Sequence, residues 1–329
     1  MKILSPIDKA EEAAPLAEAG ADELYGGYVS RRWAKKFSLM GSPNHRYFPN
    51  AQVSALSDLK KIIRGARAGG ARFFLAMNAP YYSQGQYALL LDDADDALSA
   101  GADAIIAADL GLILRLRERF PKLEVHLSTL GAVFNSMTPK FFRKLDVSRF
   151  VLPRELTVSE SAEIIGNNPG SSFDAFIFIG KCPNVESFCG FTHNNPNLVW
   201  PCEEEYEIRA VRGDDRAKEI IEAQSGWSRI NRRQACGLCA VKGLLDAGVY
   251  SLKIVGRGGP MAMKVGSVRA VKDALALILS GASEKELAEF SRKKYRETFG
   301  ADCNPYVCYF PSDCNWARSI SAAPNFIRS

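Results

Sequence analysis

Leu16-Ala-Glu-Ala-Gly-Ala-Asp-Glu-Leu-Tyr-Gly-Gly27 decides the fold, because the chain repeats its form twice. Leu98-Ser-Ala-Gly-Ala-Asp-Ala-Ile-Ile-Ala-Ala-Asp-Leu-Gly111 is the first echo, and Leu244-Leu-Asp-Ala-Gly-Val-Tyr-Ser-Leu-Lys-Ile-Val-Gly-Arg257 is the second. In each, a helix closes on glycine, which enters the left-handed region without a Cβ clash, and a strand begins almost at once. Helix-to-strand joints this short, recurring along a chain, call for a parallel sheet covered by helices.

Working outward, β-branched apolar runs place eight strands at 2–6, 23–28, 72–77, 104–108, 124–128, 149–152, 175–179 and 251–255. Helical stretches such as 9–18, 57–67, 87–99 and 139–145 separate them. Eight β/α units in some 280 residues match a TIM-type (β/α)8 barrel. The rival is an open doubly wound sheet, which would carry a Gly-rich phosphate turn after its first strand; Ser5-Pro-Ile-Asp-Lys is not one. The expected organisation is a barrel over residues 1–280, with a cysteine-bearing insertion at 181–235 after strand 7. A helix and a cysteine-containing tail follow at 281–329. Loops after barrel strands open on the C-terminal face, where barrel enzymes do their chemistry, so this insertion and the long loop at 29–54 mark the site.

Composition removes several classes. At 329 residues, 47% hydrophobic and 24% charged, the chain buries a full core and is not disordered. No apolar stretch approaches the length of a membrane span, and the start, Met1-Lys-Ile-Leu-Ser-Pro-Ile, has no secretory leader pattern. A cytosolic location is expected. The net charge of +5 does not choose a partner class, and the basic run Arg229-Ile-Asn-Arg-Arg233 is a weak pointer to RNA.

All eight cysteines fall after residue 181, which suits a metal or redox site better than scattered core packing. Cys182 lies just past strand 7, Cys189 and Cys202 lie in the insertion, and Cys236 closes it. Only Cys236-Gly-Leu-Cys239 forms a close pair, so spacing fits an iron–sulfur cluster somewhat better than a zinc ribbon, and both remain open. No C-x3-C-x2-C run occurs, which argues against cleavage of S-adenosylmethionine. Cys303, Cys308 and Cys314 crowd the tail, with a metal, redox or packing role undecided.

Six segments in order resemble peptidase family U32, the collagenase-like peptidases. Gly20-Ala-Asp-Glu-Leu-Tyr-Gly-Gly is similar to the family's GADAVYFG, and Ala102-Asp-Ala-Ile-Ile-Ala-Ala-Asp-Leu-Gly to its DALIVQDLG. His126-Leu-Ser-Thr-Leu is similar to HASTQ, Val151-Leu-Pro-Arg-Glu-Leu-Thr to VLARELS, and Leu252-Lys-Ile-Val-Gly-Arg to KIEGR. Cys182 and Cys189 match the cysteine pair of HGAxCxxYSGxC. The resemblance implies a [4Fe-4S] cluster, with zinc as the alternative, on Cys182, Cys189 and Cys236. Cys202, which resembles the second cysteine of CxxPCRxPYE, or Cys239 would complete it. It implies oxygen-independent hydroxylation of a small molecule or nucleobase, with prephenate as oxygen donor in some relatives. A metal-dependent peptidase, or a non-catalytic cluster-bearing subunit working with a paralogous partner, are the alternatives. Two departures stand out: the signature histidine falls on Phe178 or Ile179, and the glutamate of KIEGR is Val255.

Further candidates come from strand ends. Arg154 and Glu155 follow strand 6; either one faces the mouth as an anion clamp while the other caps the next helix, or the two form a purely structural pair. His126, two residues before Ser128, is either half of a catalytic pairing or, more in keeping with a strand histidine, a structural group satisfied by hydrogen bonds, while Asn78 and Asp109 end strands 3 and 4 as polar ligand-binding candidates. Lys253 and Arg257 flank a Gly-rich turn that is either a cradle whose amides hold the phosphate or carboxylate of an anionic donor or simply a tight turn.

Overall fold

The structure, a computed structural model, describes residues 1–37, 42–46, 49–182, 185–189, 234–305 and 307–313, with 209, 215, 217, 218 and 221. Cys202, Cys314 and the run Arg229 to Arg233 lie outside the described residues. Eight parallel strands close a barrel in sequence order: β1 (Lys2–Pro6), β2 (Glu23–Gly27), β3 (Arg72–Met77), β4 (Ala104–Ala107), β5 (Glu124–Leu127), β6 (Arg149–Val151), β7 (Ser172–Phe178) and β8 (Ser251–Ile254). Pairing of β1 with β8, Leu4 opposite Lys253, closes the cylinder. The TIM-type expectation holds.

Around the barrel run α1 (Ala13–Ala19), α2 (Arg31–Phe37), α3 (Leu56–Ala68), α4 (Tyr87–Ala100), α5 (Leu110–Arg119), α6 (Met137–Arg143), α7 (Val158–Gly166), α8 (Val241–Asp246), α9 (Met261–Leu279) and α10 (Glu284–Phe299). The three repeated joints behave as their glycines require: Gly20, Gly101 and Gly248 have φ of 111°, 101° and 85°. At Gly20 and Gly101 the cap amide closes the helix before the strand departs. Helices seal the outside of the barrel through a core that includes Leu16, Trp33, Ile62, Leu90, Leu116 and Val268. Leu4, Tyr25, Phe74, Ala104 and Ile106 form a second, smaller cluster from strands β1 to β4.

β7 begins three residues before the expected start at Ala175. The sequence there, Ser172-Phe-Asp174, reads as a turn, yet Asp174 is a fully buried strand residue whose carboxylate is satisfied by Arg149. Among the described residues no helix is long and apolar enough to cross a membrane.

Candidate functional site

Four strands begin on charged residues that pair across the barrel, two of them buried, Glu23 and Arg149. Arg149 opens β6 and forks onto Glu23 at the start of β2, with Nη1–Oε1 and Nη2–Oε2 at 2.8 and 2.5 Å, while its Nε meets both oxygens of Asp174 at 3.0 and 3.1 Å. Burial lowers the affinity of this guanidinium for its proton, but the two carboxylates outweigh it and the pKa rises. Arg72, first in β3, meets Glu124, first in β5, at 2.5 Å. These groups lie at the N-terminal end, where barrels hold themselves together, and their fork geometry closes the charge balance.

His126 sits one layer up and is bonded as a structural strand histidine would be. Its Nε2 is 2.6 Å from Glu124 Oε1, its ring meets Phe74 edge-on at 4.7 Å, and the side chain is fully buried. Desolvation lowers its pKa, so the neutral ring donates from Nε2 to a carboxylate. Burial would raise Glu124, but bonds from His126 and Arg72 hold it at about 2. Ser128 instead accepts from Asn78 Nδ2 at 3.2 Å and from the Leu130 amide at 3.4 Å. Asn78 Oδ1 is buried with no hydrogen-bond partner among the described residues, so Asn78 keeps an open acceptor. Asp109 is held through one oxygen: its Oδ1 caps α5 through the Leu112 amide at 2.6 Å and accepts from Tyr87 at 2.9 Å.

At the C-terminal end, the Gly-rich turn after β8 is not the anion cradle that its glycines suggest. The Gly258 amide donates to Asp8 Oδ2 at 2.6 Å, and the Gly259 amide to Gly256 O at 3.0 Å. A carboxylate of this chain already takes the place an anionic ligand would fill. Asp8 and Glu12 in turn hold the buried Lys264 ammonium, at 2.5, 2.8 and 2.8 Å. The side chains of Lys253 and Arg257 remain. Lys253 Nζ stands 3.7 Å from the Tyr25 ring centroid with no hydrogen-bond partner among the described residues. Desolvation pulls its pKa down to about 7. Arg257 donates from Nη2 to Asn44 O at 2.7 Å, and its Nη1 is buried without a hydrogen-bond partner among the described residues; burial lowers its pKa to about 10. Asn44, Gln52 and Arg257 close over Gly27, where a Cβ would meet all three within 2.8 Å. The loop after β2 thus covers one side of the mouth.

The opposite side is built at the end of β7. Ile179 and Gly180 follow it at φ of 62° and 68°, a left-handed corner that a β-branched residue adopts only when held. The holders are named. Ile179 N donates to Ala235 O at 2.8 Å, Tyr309 Oη lies 2.6 and 2.8 Å from Ile179 O and Gly180 O, and Arg154 Nη1 donates to Gly180 O at 2.8 Å. Arg154 is therefore an internal brace rather than an open clamp. It lies 3.9 Å over the Phe176 ring. Its Nε is 3.2 Å from Glu186 Oε2, an ion contact without hydrogen-bond alignment. Glu155 is exposed and accepts from the Glu186 amide at 3.2 Å. It caps no helix; Thr157 caps α7, boxed with Glu160.

This corner places the described insertion cysteines. Cys182 lies two residues past Gly180 and within electrostatic reach of Arg154. Cys189 ends the 3-10 turn Glu186–Phe188 that Arg154 and Glu155 hold. Cys236 forms a backbone bridge to Phe178, the last residue of β7, and another to Cys308 of the tail. Cys239 lies in the 3-10 turn leading into α8. Among the described residues no three His, Cys, Asp or Glu side chains gather at metal-holding distances. The sequence reading missed the tail's part here: Cys308 O accepts from Lys181 Nζ at 2.5 Å, and Asp313 Oδ2 accepts from the Val158 amide at 3.1 Å. No periodicity announces such a strap, although Tyr309 and Phe310 among the tail cysteines were a signal of burial.

Known proteins resemble the chain in this light. The tRNA hydroxylation protein P of Escherichia coli is 27% identical over 222 residues, covering 65% of this chain and 46% of that protein. A 23S rRNA 5-hydroxycytidine synthase of Escherichia coli is 25% identical over 272 residues, 78% of this chain and 36% of that protein. An uncharacterised protease of Methanocaldococcus jannaschii is 23% identical over 304 residues, 89% and 69% of the two chains. The chain thus spans less than half the length of the two hydroxylation relatives. A model of peptidase family U32 matches residues 8–314, from the end of the first strand to the docked tail, and the chain belongs to that family.

Proposed function

We propose that this chain takes part in oxygen-independent hydroxylation of an RNA base and carries an iron–sulfur cluster at the end of β7. Hydroxylation is named for two of the relatives above, one acting on tRNA and one on 23S rRNA. The observation that carries the reading is the braced corner after β7, where one buried arginine holds the turn leading to Cys182 and the turn ending in Cys189. Cys236 is bridged to the same strand end. Thiolates are the donors such clusters take, and Arg154 lies within electrostatic reach of Cys182, so these residue types fit the group. Cys182, Cys189 and Cys236 would hold it, with Cys202 or Cys239 completing the set.

A bound cluster supplies electron transfer at a potential tuned by burial and hydrogen bonds to sulfur. This chain's own residues do the rest. Arg154 and Tyr309 hold the corner rigid, so the cysteines present one geometry. The Phe188 ring, 74% exposed beside Cys189 and stacked on Phe134 at 6.2 Å with planes 5° apart, offers a flat face for an unstacked base. Asn78 Oδ1, beside Ser128, is a buried acceptor with no hydrogen-bond partner among the described residues. The test is anaerobic purification with iron, sulfide and zinc analysis and electron paramagnetic resonance, wild type beside Cys182→Ala. About four irons and four sulfides per chain, lost in the variant, support the reading; a colourless protein with one zinc refutes it.

A further inference from the structure

Two lysines are equally deep in this protein and have opposite surroundings. Lys264 gives its ammonium protons to Asp8 and Glu12. Lys253 has no hydrogen-bond acceptor among the described residues. The nearest group is the Tyr25 ring, whose own hydroxyl is turned away to Ile254 O at 2.9 Å. A buried amine left in this state is a cost to the fold that a methionine would not carry, and such costs concentrate at working sites.

We propose that Lys253 is a covalent site in the barrel for a small carbonyl compound bearing an acidic group, which it takes up as an imine. The groups facing the amine set its protonation. Burial acts first and against the charged form; Asp174 of β7 and Glu23 of β2 favour it, while Arg149 of β6 and Arg257 after β8 oppose it. Both carboxylates are already bound by Arg149, which blunts their help. The amine is thus held near pKa 7, and a large fraction is free base at neutral pH. Arg257 supplies the second half. Its Nη1 is buried without a hydrogen-bond partner among the described residues, while its other terminus is fixed on Asn44 O. A carboxylate or phosphate on the ligand would satisfy that donor and neutralise the charge that opposes Lys253.

The chemistry balances without oxidant or reductant. The Nζ lone pair forms the C–N bond as the carbonyl π pair moves to oxygen, and a proton passes from nitrogen to that oxygen. The carbinolamine's hydroxyl then takes the remaining proton from nitrogen and leaves as water, with the C–O pair, while the nitrogen lone pair forms the C=N bond. The step uses no iron, so it stands or falls apart from the hydroxylation reading.

The test uses the full chain at pH 7 with glyoxylate and cyanoborohydride, which reduces the imine to a stable carboxymethyl-lysine located by peptide mass spectrometry. Formaldehyde serves as the uncharged comparator. An exposed lysine holds about a thousandfold less free base at this pH, offset in part by its greater nucleophilicity. Lys253 is therefore expected to label about tenfold ahead of exposed Lys61 and Lys293 with glyoxylate. Arg257→Met should cut glyoxylate labelling of Lys253 about tenfold and leave formaldehyde labelling within about twofold. Label on exposed lysines with Lys253 untouched overturns the proposal. Equal loss of both labels in Arg257→Met with native circular dichroism overturns the anion contact. If the variant does not fold, the wild-type map and the ratio of glyoxylate to formaldehyde labelling decide instead.

Discussion

Replacing Lys253 by methionine should stabilise the protein, and by an amount that shrinks as pH rises. The ordinary lysine value is 10.5 and the folded value about 7, a depression caused chiefly by desolvation. Between those values the unfolded chain binds the proton more avidly than the folded one, so wild-type stability climbs with pH across the window. At ~1.4 kcal/mol per unit, the full depression corresponds to ~5 kcal/mol below pH 7. About 4 kcal/mol of it remains at pH 7, and ~1 kcal/mol at pH 9.5. The Tyr25 ring face favours the charged amine and offsets ~1–2 kcal/mol. Methionine keeps the stem's packing and removes the amine. Urea unfolding followed by circular dichroism, wild type and variant at pH 7 and 9.5, measures the gap directly. A variant more stable by several kcal/mol at pH 7, converging on wild type at 9.5, is expected. A pH-independent gap, or a less stable variant at pH 7, would mean the amine is charged and satisfied in the fold, and the reasoning fails.

The same substitution at the other buried lysine should act in the opposite sense. Lys264→Met leaves Asp8 and Glu12 together without their cation and should cost ~3–5 kcal/mol in the same urea assay at pH 7. Tyr309→Phe removes one hydroxyl from the left-handed corner; a loss of ~1 kcal/mol is expected in thermal unfolding, and iron bound per chain should fall further than that loss explains. An unchanged iron content would separate the corner from any cluster. Phe188→Ala should leave the melting temperature alone, because the ring is largely exposed, and weaken single-stranded RNA binding by ~1–3 kcal/mol in a filter or anisotropy titration.

The barrel was legible because its determinants are local. Gly20, Gly101 and Gly248 each state where a helix must stop, and the apolar runs behind them state where strands begin. What escaped was charge inside strands. Glu23, Arg72, Glu124 and Arg149 each stand at a strand's first position, as the strand bounds read from the sequence have it, yet nothing local names their partners. Those partners lie from 52 to 126 residues away, so no window along the chain reveals that Arg149 and Glu23 neutralise each other in the interior and Arg72 and Glu124 at a half-exposed end. Asp174 shows the same failure, since its carboxylate concealed the start of β7.

What the sequence did not show is which polar strand-end residues the fold keeps for itself. Asp109, Arg154 and the Gly258 amide are each engaged by groups of this chain. The difference is one of competition. A carboxylate, a guanidinium or an amide near a helix start or a turn finds a backbone partner within a few ångströms, and that partner wins over any absent ligand. A buried amine above an aromatic ring has no such local claimant, and neither does Arg257 Nη1. Unclaimed donors deep in a packed barrel are therefore the groups the fold leaves open to a ligand, and Lys253 Nζ and Arg257 Nη1 are two of them.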